Sequence, residues 1–214
     1  MRHSEKGFTL ISTMIGLLIS MGVILTTLTL FKSLVVISIK SKQDAFQDGE
    51  LSTGFTTLQM MVQSAGFGLD AGTTPHVAVG KTTLSTTQDA LLWRYMDGTT
   101  LVCKGALELA ATDTVTQQPM RVIRSLSASN CSLGAALTSM TWTTTGDLTR
   151  FRNIDTQMSK FTLETKTCSP FGMGTDRSTH YVANLFGTSS SQRAGVAGVG
   201  SIQYSVCLSN LSAS

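Results

Sequence analysis

The residues with chemical potential are few and widely spaced. Cys103, Cys131, Cys168 and Cys207 are the cysteines of this 214-residue chain, and no two of them form a C-x-x-C pair. Zinc sites draw on close pairs of ligands, and thioredoxin-type redox sites on C-x-x-C, so neither chemistry suits this spacing. Disulfides suit it better, and such bridges persist in an oxidising compartment. Four cysteines allow three connectivities. Cys103 with Cys131 and Cys168 with Cys207 is the one favoured here.

Other patterns imitate active sites without completing them. His76 and His180 are the histidines beyond the N-terminal peptide, and Asp176 and Ser178 precede the second closely. A hydrolytic triad is defined by geometry, and no G-x-S-x-G elbow accompanies these residues, so they read as loop positions. Isolated histidines make a poor metal site, and no acidic run has calcium-loop spacing. Gly80-Lys81-Thr82 resembles the end of a phosphate-binding loop, but Pro75 stands where its first glycine belongs. Gly195 to Gly200 reverses the dinucleotide fingerprint and lies in no βαβ unit. No catalytic residue, metal or cofactor is expected.

Charge is equally reticent. The 16 Lys+Arg against 13 Asp+Glu leave a net charge of +3, too small a bias to announce a nucleic-acid surface. Lys32, Lys40, Lys42, Arg94, Lys104, Arg121, Arg124, Arg150, Arg152 and Lys160 read as scattered surface cations, since no aromatic-basic module joins them. With 14% charged residues and abundant Ser and Thr, the chain suits an exported, β-rich protein better than a cytosolic enzyme.

The element that must position everything else is the N-terminal run. Phe8 to Phe31 carries no charge. As a helix it reaches roughly 36 Å, enough for a bilayer core of about 30 Å. It is longer than the apolar core of a secretion signal and ends at Phe31-Lys32 without a small-x-small cleavage site. Arg2 and Lys6 favour a cytoplasmic N-terminus, with Lys32, Lys40 and Lys42 diluting the contrast. Met14, Met21, Met60 and Met61 read as helix-packing residues.

Helical spacing continues beyond the apolar run. Leu51, Phe55, Leu58, Val62 and Ala65 recur at steps of 4, 3, 4 and 3 on one face, which needs a sheet to cover it. A helix from Phe8 to about Ser64 would be on the order of 85 Å long. Gly49 and Gly54 predict a bend or local melting near "DGELSTG". Gly66 or Gly68 is the expected C-cap.

Strands follow. "ALLWRYMDGTTLVCKG" predicts a hairpin around Asp97-Gly98. "MRVIRSL", "SMTWTTTGDLTRF", "KFTLETKTC" and "VGSIQYSVCL" supply further strands, and "FGTSSSQRAG" reads as a flexible loop. The expected fold is α+β, a long N-terminal helix packed by its C-terminal half on an antiparallel sheet. Its divisions are a leader at 1–7, an apolar spanning helix at 8–31, the second half of the helix at 32–68, and a β-rich head at 69–214.

The boundary "KGFTLI" carries a family resemblance. Lys6, Gly7, Phe8, Thr9, Leu10 and Ile11 resemble the class III signal of type IV pilins and pseudopilins. The resemblance implies cleavage after Gly7 by a prepilin peptidase and methylation of the new terminus, Phe8. Where that family usually has glutamate at the fifth mature position, this chain has Ser12. In the family the glutamate is thought to neutralise a neighbour's terminal amine in the apolar filament core, where an unpaired charge is costly. Serine cannot do so, which leaves two readings: a subunit at a filament end, where that pairing is not needed, which is favoured here, or one that incorporates poorly into the shaft. Back-bonding to its own helix is the local reading of Ser12.

"MIGLLIS", "MMVQSAGFG", the hairpin into "CKG" and the late "RAGVAGVGSIQYSV" resemble PilW-type minor pilins, which are similar to J-type minor pseudopilins. Those proteins often carry longer heads, so a shortened head is expected here. The resemblance implies a structural subunit that helps initiate pilus assembly near the tip, with other minor and major pilins, the prepilin peptidase and the inner membrane as partners. Its head would lie in the periplasm and later on the pilus or cell surface. The rival readings are a minor pseudopilin of type II secretion, a membrane-anchored periplasmic enzyme, and a DNA-binding competence pilin.

Overall fold

The computed structural model describes residues 10–70, 75–169 and 179–212. Helix α1 occupies Leu10–Val62. The strands are β1 (Val77–Thr82), β2 (Ser85–Asp97), β3 (Thr100–Thr112), β4 (Pro119–Ala128), β5 (Trp142–Arg152), β6 (Ser159–Thr167), β7 (Thr179–Gly187) and β8 (Ile202–Ser212). A 3₁₀ turn at Leu137–Ser139 and a short helix α2 at Ser190–Arg193 complete the described elements. The chain divides into two compact units, one up to Ala45 and the other Phe46–Ser214, and α1 contributes to both.

In the second unit the strands form two antiparallel sheets, ordered β1-β2-β3-β4-β5 and β6-β7-β8. The sequence predicts antiparallel strands but does not divide them. Between β5 and β6, Ile154 and Met158 turn into the core, and β6 pairs with β7 in the second sheet.

The predicted face of α1 is the centre of this core. Leu51, Phe55, Leu58, Val62 and Ala65 are all fully buried. They pack with Leu91, Trp93, Ile123 and Phe151 of the five-stranded sheet and with Phe161, Leu185, Val206 and Leu208 of the three-stranded one. Each such large side chain contributes roughly 1.5–3 kcal/mol on leaving water. Phe55 meets Tyr204 edge-to-face at 5.7 Å, and the Tyr204 hydroxyl lies 3.0 Å from Ser52 Oγ.

Strand alternation sends β2 side chains to two different cores. Leu91 and Trp93 face α1, while Ala90 and Leu92 join Cys103, Leu107, Leu126 and Trp142 on the opposite face. Leu137 and Met140 cover that second core, and Trp142 Nε1 donates to Leu137 O at 2.9 Å. The five-stranded sheet is therefore apolar on both faces.

Glycine roles differ from expectation. Helix α1 runs through Gly49 and Gly54 without the local melting predicted there. A Cβ at Gly54 would fall 2.7 Å from Thr149 Cγ2, so this glycine admits β5 to the helix surface. Thr149 Oγ1 uses that closeness to donate to Glu50 O at 3.0 Å. The helix ends at Val62, slightly before the expected Ser64, in turns where Gly66 and Gly68 have φ of +77° and +69°. Gly66 N then donates to Arg94 O at 2.9 Å.

The Asp97-Gly98 hairpin forms, with Asp97 opposite Thr100 and Gly98 at φ +60° as the first loop residue. The segment "HVAVGKTT" contains β1, and the segment around His180 contains β7. The loop reading of "FGTSSSQRAG" is corrected: it supplies the end of β7 and then α2. Ser189 caps α2 by accepting from Gln192 N, and Asp48 accepts from Ser190 N and Oγ at 2.8 and 2.6 Å. Contacts made a long way off in sequence order this stretch against its flexible composition.

Candidate functional site

The first half of α1 is apolar around its whole circumference. Every large apolar side chain from Leu10 to Ile39 is exposed, from Val35 at 40% to Leu10 at 74%. A helix apolar all round needs an apolar surrounding, either lipid or other helices. This one is long and apolar enough to cross a membrane, and none of its most apolar window is buried within the molecule.

Its threonine hydroxyls are adapted to such surroundings. Thr13 donates to Leu10 O at 2.8 Å, Thr26 and Thr27 donate to Val23 O at 2.9 and 2.8 Å, and Thr29 donates to Thr26 O at 2.8 Å. Each threonine thus closes its bond inside its own helix, leaving no donor to be satisfied by water. A Cβ built on Gly16 or Gly22 meets nothing within 4 Å, so both leave the helix surface open to a close neighbour.

The predicted signal residues divide at the start of α1. Lys6, Gly7, Phe8 and Thr9 lie outside the described residues, whereas Leu10, Ile11 and Ser12 form exposed positions of the first helical turn. The back-bonding acceptors available to Ser12 would be Phe8 or Thr9, also outside them.

The cysteines are brought together in the second unit. Cys103 is bonded to Cys131 and Cys168 to Cys207, with Cα separations of 5.5 and 5.9 Å. The first bridge ties β3 to the segment that covers the second core. The second ties the segment after β6 to β8. Of the near-active-site patterns, His76 Nε2 lies 2.8 Å from Asp70 O, and Lys81 pairs with Asp89 at 3.0 Å. His180 is buried with Nδ1 3.2 Å from Leu211 O, while Asp176 and Ser178 lie outside the described residues. No group of three or more potential metal ligands occurs among the described residues.

The supposed surface cations include two that are buried. Arg94 is fully buried and donates to Ser132 O and to Pro75 O. Desolvation by burial lowers the pKa of its guanidinium. Arg121 Nε donates to Glu108 Oε1 at 2.8 Å. Glu108 also accepts from Met158 N, Ser159 N and Ser159 Oγ, which fastens the start of β6 to the five-stranded sheet. Arg124 and Arg150 pair with Asp147 at 3.1 and 2.8 Å. The reading of all ten as surface cations is thus corrected for Arg94 and Arg121.

Sequence reasoning missed the inward direction of Arg94 and Glu108. The signal was present in the alternation, since Ala90, Leu92 and Arg94 share one strand face and Ala106 and Glu108 share another. A scan of protein-family models and searches of curated proteins and of solved structures match nothing to this chain.

Proposed function

We infer that this chain is a minor-pilin-like structural subunit, inserted in the inner membrane as a precursor and assembled through its helix into a filament-initiating complex. The observation that carries the reading is the two-part character of α1: apolar and exposed all round from Leu10 to Phe31, then packed by one face on a β-rich head from Leu51 to Val62. A subunit with that helix can leave lipid for a bundle of helices without changing the polarity of its surroundings. Specificity then comes from helix packing and head contacts.

The resemblance at Lys6 to Ile11 adds the route of maturation. A peptidase cuts after Gly7, and the new terminus at Phe8 is methylated. Ser12 removes the carboxylate that would pair with a neighbour's amine, which suits a tip position better than the shaft. The head acts by binding to neighbouring subunits, without catalysis.

The test is the intact mass of the protein from membranes, with and without prepilin peptidase, for the wild type and for Gly7→Ala. A chain beginning at methylated Phe8, lost in the variant or without the peptidase, is the expected result. A chain that keeps Met1 to Gly7 in all samples overturns the reading in favour of a permanently anchored periplasmic protein.

A further inference from the structure

The two disulfides have different surroundings. Cys168 and Cys207 line a surface hollow with Glu164 and Lys166, which are exposed and opposite in sign. Cys103 is buried in the second core among Leu92, Leu126, Leu137, Met140 and Trp142, and Cys131 is half-buried against that core.

A cation stands in this apolar setting. Arg94 lies directly opposite Cys103 in the β2-β3 register. That position brings two Cβ atoms to about 4.5–5.5 Å on one face of a sheet. The guanidinium reaches the other end of the bridge as well, because it donates to the carbonyl of Ser132, the residue after Cys131. Its second bond, to Pro75 O, is also to a neutral carbonyl, and its Nε has no acceptor. Arg94 is fully buried, and none of the ion pairs among the described residues includes it. Of the other titratable groups nearby, His76 follows beyond Arg94, with its O accepting from Arg94 N and its Nε2 2.8 Å from Asp70 O. Lys104 turns to the opposite face of β3 by alternation, beside Trp93.

A buried charge without an anion is costly. While the bridge is closed, carbonyl dipoles alone offset Arg94. A thiolate at Cys103 would offset it with a full charge, so the environment favours the reduced form.

We propose that Cys103–Cys131 is a thiol-exchange site, opened by a dithiol reductant, with Arg94 stabilising the thiolate that departs. One thiolate of the dithiol attacks Sγ of Cys131, the less buried sulfur, and a mixed disulfide forms as the bond to Cys103 breaks. Cys103 leaves as a thiolate opposite Arg94. The second thiolate of the dithiol then attacks its partner sulfur in the mixed disulfide, and Cys131 leaves and takes up a proton. The dithiol loses two electrons and the bridge gains them. One of the dithiol's two protons ends on Cys131 and the other in solvent. A cation beside a cysteine lowers the thiol pKa, a low leaving-group pKa speeds exchange, and a stabilised reduced form makes the disulfide easier to reduce. Opening this bridge unties β3 from the segment that covers the second core.

The test uses the full chain in detergent micelles, equilibrated in dithiothreitol redox buffers, with each bridge read by alkylation and peptide mass spectrometry. Thiolate absorbance in the ultraviolet follows ionisation of the reduced chain. In the wild type one thiol should ionise at least about one unit below the ordinary value of about 8.5. Arg94→Gln should return it to that value or above and shift the Cys103–Cys131 equilibrium tenfold or more toward the disulfide, with the Cys168–Cys207 equilibrium unchanged. Wild-type thiols that all ionise at the ordinary value or above overturn the proposal, and that result needs no variant to fold. A low-ionising thiol that survives Arg94→Gln, or an equal shift of both bridges, overturns it too.

Discussion

Along α1, the stretch Leu10 to Ile39 and the stretch Leu51 to Val62 contain similar side chains in opposite circumstances. In the first, leucine, isoleucine and valine point in every direction and all are exposed. In the second, Leu51, Phe55, Leu58 and Val62 share one face and are fully buried, while Ser52, Thr53, Thr56 and Met60 are exposed. The same residue type therefore does different work. In the first stretch it sets the solvent that the helix requires, and in the second it holds a fold together.

Substitutions can break or sharpen that contrast. The largest effect is expected at the centre of the core, where Phe55→Ala should cost about 3–5 kcal/mol in urea unfolding of the head. Leu58→Ala should cost about 2–5 kcal/mol, whereas Leu18→Ala should leave head unfolding unchanged. Equal losses at positions 58 and 18 would erase the distinction. Conversely, Leu18→Arg should lower membrane insertion by about 2.5–3.5 kcal/mol, read by alkaline extraction of membranes, with the unfolding midpoint of the head retained.

The two helix glycines make a finer comparison. Gly54→Ala should destabilise by about 1–3 kcal/mol, because its Cβ meets Thr149 and overpacking outweighs improved helix propensity. Gly49→Ala meets nothing within 4 Å and should stabilise by about 0.5–1 kcal/mol. Calorimetry of both variants checks the opposite signs.

The smallest effect concerns pH at the β3-β4 turn. Backbone N–H groups of Thr116 and Val115 hold the Asp113 carboxyl below its ordinary pKa. A carboxyl lowered on folding adds stability above its unfolded pKa and loses it as pH falls toward the folded one. The head should thus lose a little stability below about pH 4, the ordinary carboxylate range, and Asp113→Asn should flatten that slope. Urea midpoints across that range read it.

Much of the core and of the apolar element was legible because both rest on local periodicity. Leu51, Phe55, Leu58, Val62 and Ala65 announce a helix face by spacing alone, and Asp97-Gly98 announces a hairpin by the turn chemistry of glycine. Gly54 was misread for the same reason. Its helix propensity is local, but the approach of Thr149, almost a hundred positions away in the chain, is not. Arg94 and Arg121 looked like solvated cations until alternation was combined with a sheet covered on both faces.

What the sequence by itself determined is the apolar run from Phe8 to Phe31, the amphipathic continuation of its helix, and an antiparallel β-rich remainder. Each follows from hydrophobic pattern and turn residues, which act over a few neighbours. Only the tertiary structure chose one of three disulfide connectivities, divided the strands into two sheets and placed Glu108 at the start of β6. Those outcomes depend on which distant segments compete for the same buried space, and no short-range pattern records that competition.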